Sequence, residues 1–530
     1  MRRWNGWGEE KTSYPLPESA EQYLKLAIGS GELIRDQSLV NALSKVPVSR
    51  LPEHPLISTH PEQRLYHTRG QSLPDWVALR YGRVDSYPGG VAFPCGDEDV
   101  RILIDYAQKM GVSLIPYGGG TSVVGHINPL PGDPATLTVD LSRLNKLEIL
   151  DKTSLLATFG AGTCGPELES QLNQHGYTLG HYPQSFELST LGGWIATRSS
   201  GQQSHYYGRI EDLFAGGHVE TSLGPMDLPP LPASAAGPDL RQVILGSEGR
   251  FGILTRAIVR VHRIPEEDSF YGIFFHSWQE GIAAIREIAQ EEIPISMARL
   301  INALETETTL KLSGKEKLVG WAERGLNLLN YPEGRVLFVV GVSGDHLSTH
   351  YARKRVRSIV RDYAGIFIGT SIGKIWKKSR FLTPYLRNTL WDKGYAVDTL
   401  ETALPWSGIE PMAEAIVGAI RGSAQNFGEA VLVGVHLSHI YRDGASLYVT
   451  IIFRRTPDPD ELLERWATMK DAASQVIIGQ KGTISHQHGV GIDHAVYLAA
   501  EKGKIGIDLI RKTAEFIDPN GIFNPGKLVS

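Results

Sequence analysis

The side chains best suited to acid–base chemistry lie near the C-terminal end of the chain. His486 and His488 are separated by one residue within the stretch Ser485–Gly491. Two histidines at this spacing on a strand would face the same side, where they could act as acid–base groups at neutral pH. A metal site would need a third ligand such as Asp493 or His494, and the spacing matches no standard zinc pattern. We therefore favour acid–base or polar roles and predict no metal, with an ordinary surface loop as the alternative.

Three further residues carry side chains that a catalyst could use. Tyr448 follows the polar stretch His436–Gly444 and lies within a predicted strand, where a tyrosine is ordinarily a core residue. Arg299 and Arg387 each follow an apolar or helical stretch, and either could bind a phosphate through two parallel hydrogen bonds. A solvated surface arginine is the alternative for both. The sequence pattern identifies these three candidates but does not decide between a role in catalysis or binding and an ordinary structural role.

A glycine-rich loop, Pro116–Gly125, follows an apolar run that is typical of a strand end. Glycine lacks a Cβ atom, so the backbone of residues 118–120 can turn sharply and come close to a ligand. Several backbone N–H groups that point the same way form an anion site suited to phosphate or pyrophosphate. Thr121 and Ser122 add hydroxyl donors at the same place. A tight turn without a ligand is the alternative.

Two similar stretches follow, so that three lie within about 140 residues. Gln184–Trp194 leads into the small and hydroxylated residues Ala196–Gly201, and Gly246–Thr255 precedes a predicted strand. Ordinary connections are short, so turns alone do not account for three such stretches. They indicate one extended, phosphate-containing ligand across a small α/β domain.

Local patterns predict the elements that position these loops. The spacing after Asp97 is that of an amphipathic helix, which Gly111 ends. Its apolar face is formed by Val100, Leu103, Ile104 and Ala107. Strands predicted at 91–94 and 113–116 flank this helix, which gives a βαβ unit with the glycine loop at the exit of its second strand.

From about residue 267 the pattern changes to strands alternating with long helices. Such an arrangement predicts an antiparallel sheet covered on one face by helices. The predicted strands are Ser269–Phe275, Pro294–Ile301, Arg335–Val342, Gly365–Gly369, Ala430–His436 and Ala445–Phe453. The predicted helices are Trp278–Gln290, His346–Tyr363, Glu410–Asn426 and Ile505–Phe516.

Composition excludes several classes of protein. The 530 residues are 42% hydrophobic and 21% charged, as in soluble enzymes of two or three domains. A formal net charge of −5 provides no basic field for nucleic acid. No apolar run reaches the roughly 18 residues of a membrane span, and no signal peptide precedes the first domain. We predict a cytoplasmic protein, and peripheral contact with a membrane is compatible with this sequence.

Jointly, these motifs resemble those of a known family. The three glycine-rich stretches are similar to the FAD-binding domain of the vanillyl-alcohol oxidase/p-cresol methylhydroxylase superfamily. Further segments resemble its alkyl-dihydroxyacetone-phosphate synthase branch, and these are Arg3–Gly8, Ser189–Trp194, Ser485–Gly491 and Asp518–Phe523. The resemblance covers nearly the whole chain. It implies an α+β fold, in which a two-subdomain FAD-binding domain of the PCMH type is joined to an antiparallel-sheet cap domain covered by helices.

The sequence pattern and the resemblance together predict a division of the chain. It comprises an N-terminal helical extension at 1–88, the FAD-binding domain at 89–266, the cap or substrate domain at 267–504 and a C-terminal segment at 505–530 that returns to the FAD-binding domain. The resemblance also implies a homodimer.

The resemblance implies FAD as the cofactor. The first glycine loop carries Thr121 where some relatives tether the flavin through a histidine, and His126 lies further on, so we expect non-covalent binding. The implied FAD-binding residues are Pro116, Tyr117, Gly118, Gly119, Gly120, Thr121, Ser122, Gln184, Ser185, Phe186, Glu187, Leu188, Ser189, Thr190, Thr197, Arg198, Ser199, Ser200, Glu248, Gly249, Arg250, Phe251, Gly252, Ile253 and Leu254.

The synthase branch exchanges the acyl chain of acyl-dihydroxyacetone phosphate for a fatty alcohol, through a flavin N5 adduct and without net redox, in ether-lipid synthesis. By motif, Tyr448 matches the tyrosine that moves the substrate proton. Arg387 matches the arginine on the substrate phosphate, Arg299 another arginine needed for activity, and Thr399 a hydroxyl residue of the site. His486 and His488 match the outer members of a histidine triplet.

The sequence departs from the synthase branch at Gln487, which stands where that branch has the central histidine. Glutamine forms hydrogen bonds but does not titrate, so any acid–base role of this position is lost. An FAD-dependent oxidase or dehydrogenase of a 2-hydroxy acid or polyol phosphate is therefore the first alternative function. A non-catalytic flavin-binding protein is the second. Every one of these hypotheses has a small-molecule or lipid ligand and no nucleic acid.

Overall fold

The computed structural model describes residues 1–132, 135–312 and 334–529. The α-helices of these residues are Glu18–Ile28, Leu39–Ser44, Pro61–Tyr66, Leu73–Arg80, Asp97–Met110, Gly165–Asn173, Leu191–Thr197, Ser204–Tyr207, Ile210–Leu213, Arg241–Ile244, Trp278–Gln290, Ala303–Leu312, His346–Asp362, Ser371–Ser379, Thr383–Asp392, Ile409–Gln425, Pro459–Gly479 and Leu498–Ile517.

The strands of the same residues are β1 (Ile57–Ser58), β2 (Gly90–Ala92), β3 (Ser113–Tyr117), β4 (Thr136–Asp140), β5 (Leu147–Asp151), β6 (Leu156–Gly160), β7 (Tyr177–Thr178), β8 (Phe214–Thr221), β9 (Gly224–Leu228), β10 (Ile253–Arg260), β11 (His262–Arg263), β12 (Glu267–Phe275), β13 (Met297–Ile301), β14 (Val336–Gly344), β15 (Ile366–Gly369), β16 (Tyr395–Pro405), β17 (Leu432–Ile440) and β18 (Gly444–Arg454).

The first glycine loop leaves the end of β3 in a small sheet of order β1-β2-β4-β3. The helix Asp97–Met110 between β2 and β3 buries the four apolar residues that its spacing predicted, and Gly111 ends it in the left-handed conformation at φ 63°. Both β2 and β3 run parallel to β4, which lies between them. The predicted strand–helix–strand unit is confirmed, but a later strand separates its two strands.

A second sheet, of order β5-β6-β10-β8-β9, is antiparallel. Its strand β10 begins within the Gly246–Thr255 stretch, and the Gln184–Trp194 stretch packs against the sheet. The sequence suggested a loop of small residues after Gln184, whereas Leu191–Thr197 forms a helix. Glycines disfavour helix, but the hydroxyl of Thr190 accepts a hydrogen bond from the Gly193 amide at the helix start. The side chains of Leu191, Trp194 and Ile195 are then buried in the core, which accounts for the helix.

The third sheet is antiparallel and has the order β15-β12-β14-β13-β17-β18-β16 in the described residues. Alternate side chains of its strands pack against helices Trp278–Gln290, His346–Asp362, Ile409–Gln425 and Pro459–Gly479. This confirms the predicted antiparallel sheet with a face covered by helices. β16 and the helix Pro459–Gly479 were not predicted. Parts of the other face are covered by helices Glu18–Ile28, Ala303–Leu312, Ser371–Ser379 and Thr383–Asp392. The rest of that face lines a cavity.

Both ends of the chain pack onto these sheets. Helix Glu18–Ile28 shares an apolar cluster with β16, β17 and β18. At the other end, the backbone amide of Leu114 in β3 donates a 2.7 Å hydrogen bond to the carbonyl of Ile522, and Phe523 is buried beside it. Among the described helices, none combines the length and the apolar character needed to cross a bilayer.

Candidate functional site

One cavity of about 1090 Å³ lies between the glycine-rich stretches and the open face of the seven-strand sheet. Its wall includes residues 116–123, segments of 183–199 and 247–254, and side chains of β12, β13, β14, β16, β17 and β18. Pockets for a single drug-sized ligand are typically about 300–1000 Å³. The cavity is therefore large enough for a dinucleotide and a second ligand.

The first glycine loop offers unused hydrogen-bond donors to this cavity. Within the described part of the chain, the backbone amides of residues 119–123 donate to no protein acceptor. The loop packs closely against the second glycine-rich stretch. A Cβ atom on Gly118 would overlap the Thr190 hydroxyl, and one on Gly119 would overlap the carbonyl oxygen of Leu188. Free amides on a closely packed turn are suited to a phosphate or pyrophosphate group.

The residues around this loop fit the FAD that the resemblance implies. The predicted FAD-binding residues that line the cavity include all of 116–122, together with Gln184, Ser185, Ser189, Thr190, Thr197, Ser199, Glu248, Gly249, Gly252 and Leu254. Small and hydroxylated side chains allow close approach to a flat ring and supply hydrogen bonds. Eight predicted residues do not line the cavity, and these are Phe186, Glu187, Leu188, Arg198, Ser200, Arg250, Phe251 and Ile253.

Glu248 connects the flavin side of the cavity to the histidine loop. Its carboxylate oxygens accept hydrogen bonds from the backbone amides of Val490 and Gly491, at 2.5 and 2.8 Å. Asn524 from the C-terminal segment donates to the Glu248 carbonyl at 2.8 Å. Three distant parts of the chain are therefore held together at this corner of the cavity.

Replacing Gly119 by alanine is expected to prevent flavin binding. The added methyl group would force the loop away from Leu188, and overpacking of this kind costs about 1–3 kcal/mol or more. Flavin absorbance per mole of purified protein measures the outcome. Gly418→Ala is the matched control, since in the described residues nothing beyond its chain neighbours and its own helix backbone lies within 4 Å of the place that the methyl group would take. Flavin retained at the wild-type level in Gly119→Ala would contradict the assignment of this loop.

Tyr448 stands on β18 with its side chain on the cavity wall. Its ring stacks on that of His436 at a centroid distance of 4.8 Å and meets His488 edge-on at 5.8 Å. Burial raises the pKa of Tyr448 well above its usual value, although a hydrogen bond with Thr399 opposes the shift. The phenol is therefore neutral at physiological pH and able to donate a proton.

Arg387 presents an incompletely paired guanidinium group to the same cavity. It lies over the ring of Trp76 at 4.2 Å and donates one hydrogen bond to the carbonyl of Gln71. Its Nε and one terminal nitrogen are buried without a hydrogen-bond partner in the described residues. Burial lowers the pKa of Arg387 to about 10, so the group stays charged at neutral pH. A charged fork with two unused donors is suited to an anion such as phosphate.

Arg299 lies on β13 and lines the cavity. Its guanidinium forms an ion pair with Glu305, a residue that the sequence analysis did not identify. A terminal nitrogen of Arg299 donates to Glu305 Oε1 at 3.3 Å. Glu305 also contacts Nδ1 of His436, at 2.8 Å. The three side chains come from β13, the helix Ala303–Leu312 and β17. No local motif joins Glu305 to a residue 131 positions away, so only the fold reveals this cluster.

His486 and His488 do not share one face, because residues 484–491 form an irregular loop instead of a strand. His488 lines the cavity, whereas His486 lies outside its wall. The Nε2 atom of His486 accepts from Arg209 at 3.2 Å and contacts the Tyr441 hydroxyl at 2.6 Å. Because Arg209 can only donate, Nε2 is the unprotonated nitrogen. Burial lowers the pKa of His486 to about 4, which leaves it neutral at physiological pH.

Gln487 lies between the two histidines and lines the cavity. Its amide nitrogen donates to Glu401 Oε2 at 2.6 Å. Burial would raise the pKa of Glu401, but His486 and a hydrogen bond from His439 hold it well below its usual value. A fixed carboxylate thus orients the Gln487 amide, whose oxygen remains as an acceptor. Glu401 is a second residue that the sequence did not indicate.

Glu401, His439 and His486 are close enough to be considered as metal ligands. Their chemistry argues against it, because the Arg209 guanidinium lies 3.2 Å from His486 Nε2 and the Gln487 amide occupies one Glu401 oxygen. We therefore interpret the cluster as a hydrogen-bonded network behind the cavity wall.

Away from these polar groups much of the cavity wall is apolar, although Arg335, Lys378 and Arg380 also line it. The side chains of this part come from the sheet and from helices Ser371–Ser379 and Thr383–Asp392, and they are Phe274, Ile301, Leu337, Val339, Ile368, Ile372, Ile375, Trp376, Leu386, Leu390, Leu432 and Ile452. Such a lining suits hydrocarbon. The polar end with Tyr448 and Arg387 and the apolar end belong to one continuous space.

Comparison with known proteins agrees with this geometry. Residues 88–225 match the family described as FAD binding domain, and residues 264–528 match FAD linked oxidases, C-terminal domain. A solved structure of p-cresol methylhydroxylase with substrate bound is similar in fold, with a TM-score of 0.67 at 12% identity over 89% of this chain and 93% of that one. The PCMH-type fold and the FAD cofactor are thereby confirmed.

Two other proteins, which are more similar to this chain, are both alkyldihydroxyacetonephosphate synthases. The alkyldihydroxyacetonephosphate synthase of Dictyostelium discoideum is 30% identical over 99% of this chain and 93% of its own length. A solved structure of alkyldihydroxyacetonephosphate synthase superposes with a TM-score of 0.84 at 28% identity, covering 99% of this chain and 98% of that one. The chain therefore belongs to the alkyldihydroxyacetonephosphate synthase family of FAD-dependent enzymes.

Proposed function

We propose that this enzyme exchanges the acyl chain of acyl-dihydroxyacetone phosphate for a fatty alcohol, with no net redox. The observation that carries the proposal is a single cavity that joins a charged, incompletely paired Arg387 to a long apolar lining. A phosphate head and a hydrocarbon chain are the two parts of such a substrate. A small 2-hydroxy acid would leave most of the apolar wall unused.

The flavin, when bound, supplies the reactive ring at which the bonds are made and broken. The free amides of residues 119–123 would hold its pyrophosphate, and the hydroxyls of Ser185, Ser189 and Thr197 its polar edges. Binding is proposed to be non-covalent. His126 supports this, because its Nδ1 contacts the Ser122 hydroxyl at 2.7 Å and its Nε2 lies 3.2 Å from Glu248.

Four residues of the cavity wall have proposed roles in the exchange. Arg387 holds the substrate phosphate, since two of its nitrogens have no other partner in the described residues. Tyr448 moves the proton at the reacting carbon, and Thr399 fixes its hydroxyl by a hydrogen bond. Arg299 adds positive charge beside them. His486 acts through the network with Glu401, which orients Gln487 towards the substrate.

The proposal is tested with flavin-loaded protein, acyl-dihydroxyacetone phosphate and hexadecanol. Release of fatty acid together with an alkyl ether product is the expected result. Absence of both products from a fully flavinated sample would overturn the proposal. Anaerobic bleaching of the flavin by a 2-hydroxy acid or glycerol phosphate would instead support the oxidoreductase alternative.

We also propose that the enzyme is a cytoplasmic homodimer that contacts membranes peripherally. A substrate with a long hydrocarbon chain partitions into lipid, which supports access from a membrane surface. Sedimentation with and without lipid vesicles measures the oligomeric state and the membrane contact. A protein that sediments as a monomer and does not bind vesicles would contradict the proposed dimer and the proposed membrane contact.

A further inference from the structure

His436 and Glu305 form a buried pair on the cavity wall to which the proposed roles assign no chemistry. Glu305 Oε1 lies 2.8 Å from His436 Nδ1, and the two side chains are 12% and 5% exposed. Both residues line the cavity. A buried carboxylate that contacts an imidazole fixes its orientation and its tautomer.

Three features of the fold hold Glu305 in this place. The Asn302 side chain accepts a hydrogen bond from the Glu305 amide at 2.9 Å, which anchors the start of its helix. Gly434 on β17 leaves the space that Glu305 fills, since a Cβ atom there would lie 3.0 Å from the carboxylate. Arg299 also donates to Oε1 of this carboxylate, at 3.3 Å. The position of Glu305 is therefore determined by several neighbouring elements.

The contact with Glu305 determines which nitrogen of His436 is basic. A carboxylate only accepts hydrogen bonds, so Nδ1 carries the proton and Nε2 keeps its lone pair. Burial lowers the pKa of His436 and the charge of Arg299 lowers it further, while Glu305 opposes the shift. His436 is thus a neutral base at physiological pH, stacked on Tyr448.

We propose that His436, oriented by Glu305, is the base that accepts the hydroxyl proton of the incoming fatty alcohol. This inference rests on the proposed function. The alcohol O–H bond breaks, its electron pair remains on the oxygen, and that oxygen forms the new C–O bond. The proton moves to His436 Nε2. The fatty acid leaves as a carboxylate with the electron pair of the old C–O bond, and the proton passes from His436 to water.

The other polar groups of the cavity are less suited to this step. Tyr448 is already assigned to the proton at the reacting carbon, and its raised pKa keeps the hydroxyl protonated before that step. Gln487 does not titrate. His488 lines the cavity, but in the described residues it forms no ion pair with a carboxylate that could stabilise its protonated form. His126 also lines the cavity, but its two ring nitrogens face Ser122 and Glu248. His436 meets its carboxylate partner, Glu305, through Nδ1 only.

Two nucleophiles distinguish this role from a structural one. A fatty acid enters as a carboxylate and needs no base, whereas an alcohol must lose its proton. For His436→Asn in the flavin-loaded enzyme, we expect ether formation from hexadecanol to fall by about 10²–10⁴-fold, as for loss of a general base. Exchange of the acyl chain with labelled fatty acid should stay within a few-fold of wild type.

The ratio of the two rates decides the question, because both come from one preparation and share any loss of folded protein. Equal losses, or an unchanged alcohol rate, would overturn the role of His436. A wild-type enzyme that performs neither reaction would instead overturn the proposed function. His350→Asn, an exposed histidine on the helix His346–Asp362, is the matched control.

A second variant and a pH profile provide independent readouts. Glu305→Gln removes the charge that stabilises protonated His436, so the alcohol reaction should slow while acyl exchange persists. The charged or titratable groups that face His436 are Arg299, Glu305, Tyr448 and Glu401. In the wild-type enzyme, the rate of ether formation from the alcohol should fall as the pH drops, because His436 becomes protonated. Acyl exchange should lack this dependence. An identical pH dependence of both reactions would contradict the proposal.

Discussion

Replacing Tyr448 by phenylalanine is expected to lower turnover of acyl-dihydroxyacetone phosphate by about 10²–10⁴-fold, the usual contribution of a general acid or base. The phenol ring contacts the rings of His436 and His488, and phenylalanine keeps those ring contacts. Only the hydroxyl and its hydrogen bond with Thr399 are lost. Flavin content and melting temperature should therefore stay near the wild-type values.

The effect can be located at a single step. Exchange of the hydrogen on the reacting carbon with solvent deuterium should slow in Tyr448→Phe by a factor similar to that of turnover. Tyr351→Phe, in which the tyrosine is 53% exposed on the helix His346–Asp362, is the matched control. Turnover that is unchanged in Tyr448→Phe would remove this residue from the mechanism.

Periodic patterns in the sequence predicted those parts of the fold whose stability is local. The helix Asp97–Met110 has four apolar residues on one face and a glycine at its end, and both signals act within the segment. The cap strands alternate between the helix-covered core and the cavity. Val433 and Val435 pack with the core, while Gly434 and His436 line the cavity. A period of two residues is sufficient to assign these faces.

Elements stabilised by tertiary contacts were harder to predict. The helix Leu191–Thr197 contains two glycines and little intrinsic helix propensity, so it depends on the Thr190 cap and on buried side chains. β16 carries the acidic residues Asp398 and Glu401, which are depleted in strands. Thr402 is nevertheless fully buried there, and Asp398 is paired with Lys470 at 3.0 Å. Lys470 lies 72 positions from Asp398, so no local pattern reveals this pair.

The site shows the same division between local and long-range information. The glycine loops and the histidine loop are recognisable as short motifs. Glu305 with His436 and Glu401 with Gln487 are separated by 131 and 86 positions, and each pair meets only through the tertiary fold. The acidic partners that orient the polar groups are thus absent from any local pattern. Gln487 in particular can be interpreted only once Glu401 is seen to hold its amide.

Replacing Arg387 by methionine is expected to raise KM for acyl-dihydroxyacetone phosphate by about 10²-fold or more. Each hydrogen bond between a charged donor and an anion contributes about 1.5–3 kcal/mol, and two nitrogens of Arg387 are available for the phosphate. Methionine keeps an apolar contact with Trp76, so the fold should persist. Arg387→Lys keeps the charge but loses the planar fork, and we expect an intermediate KM.

Binding measurements separate this role from a general loss of activity. Calorimetric titration with dihydroxyacetone phosphate should give weaker binding in Arg387→Met, whereas Arg361→Met, at an exposed position of the helix His346–Asp362, should bind as wild type. Because burial lowers the pKa of Arg387 to about 10, wild-type phosphate binding should weaken as the pH rises through that value. The methionine variant should lack this dependence. If it binds the phosphate as tightly as wild type, the anion site lies elsewhere in the cavity, and Arg299 becomes the candidate for it.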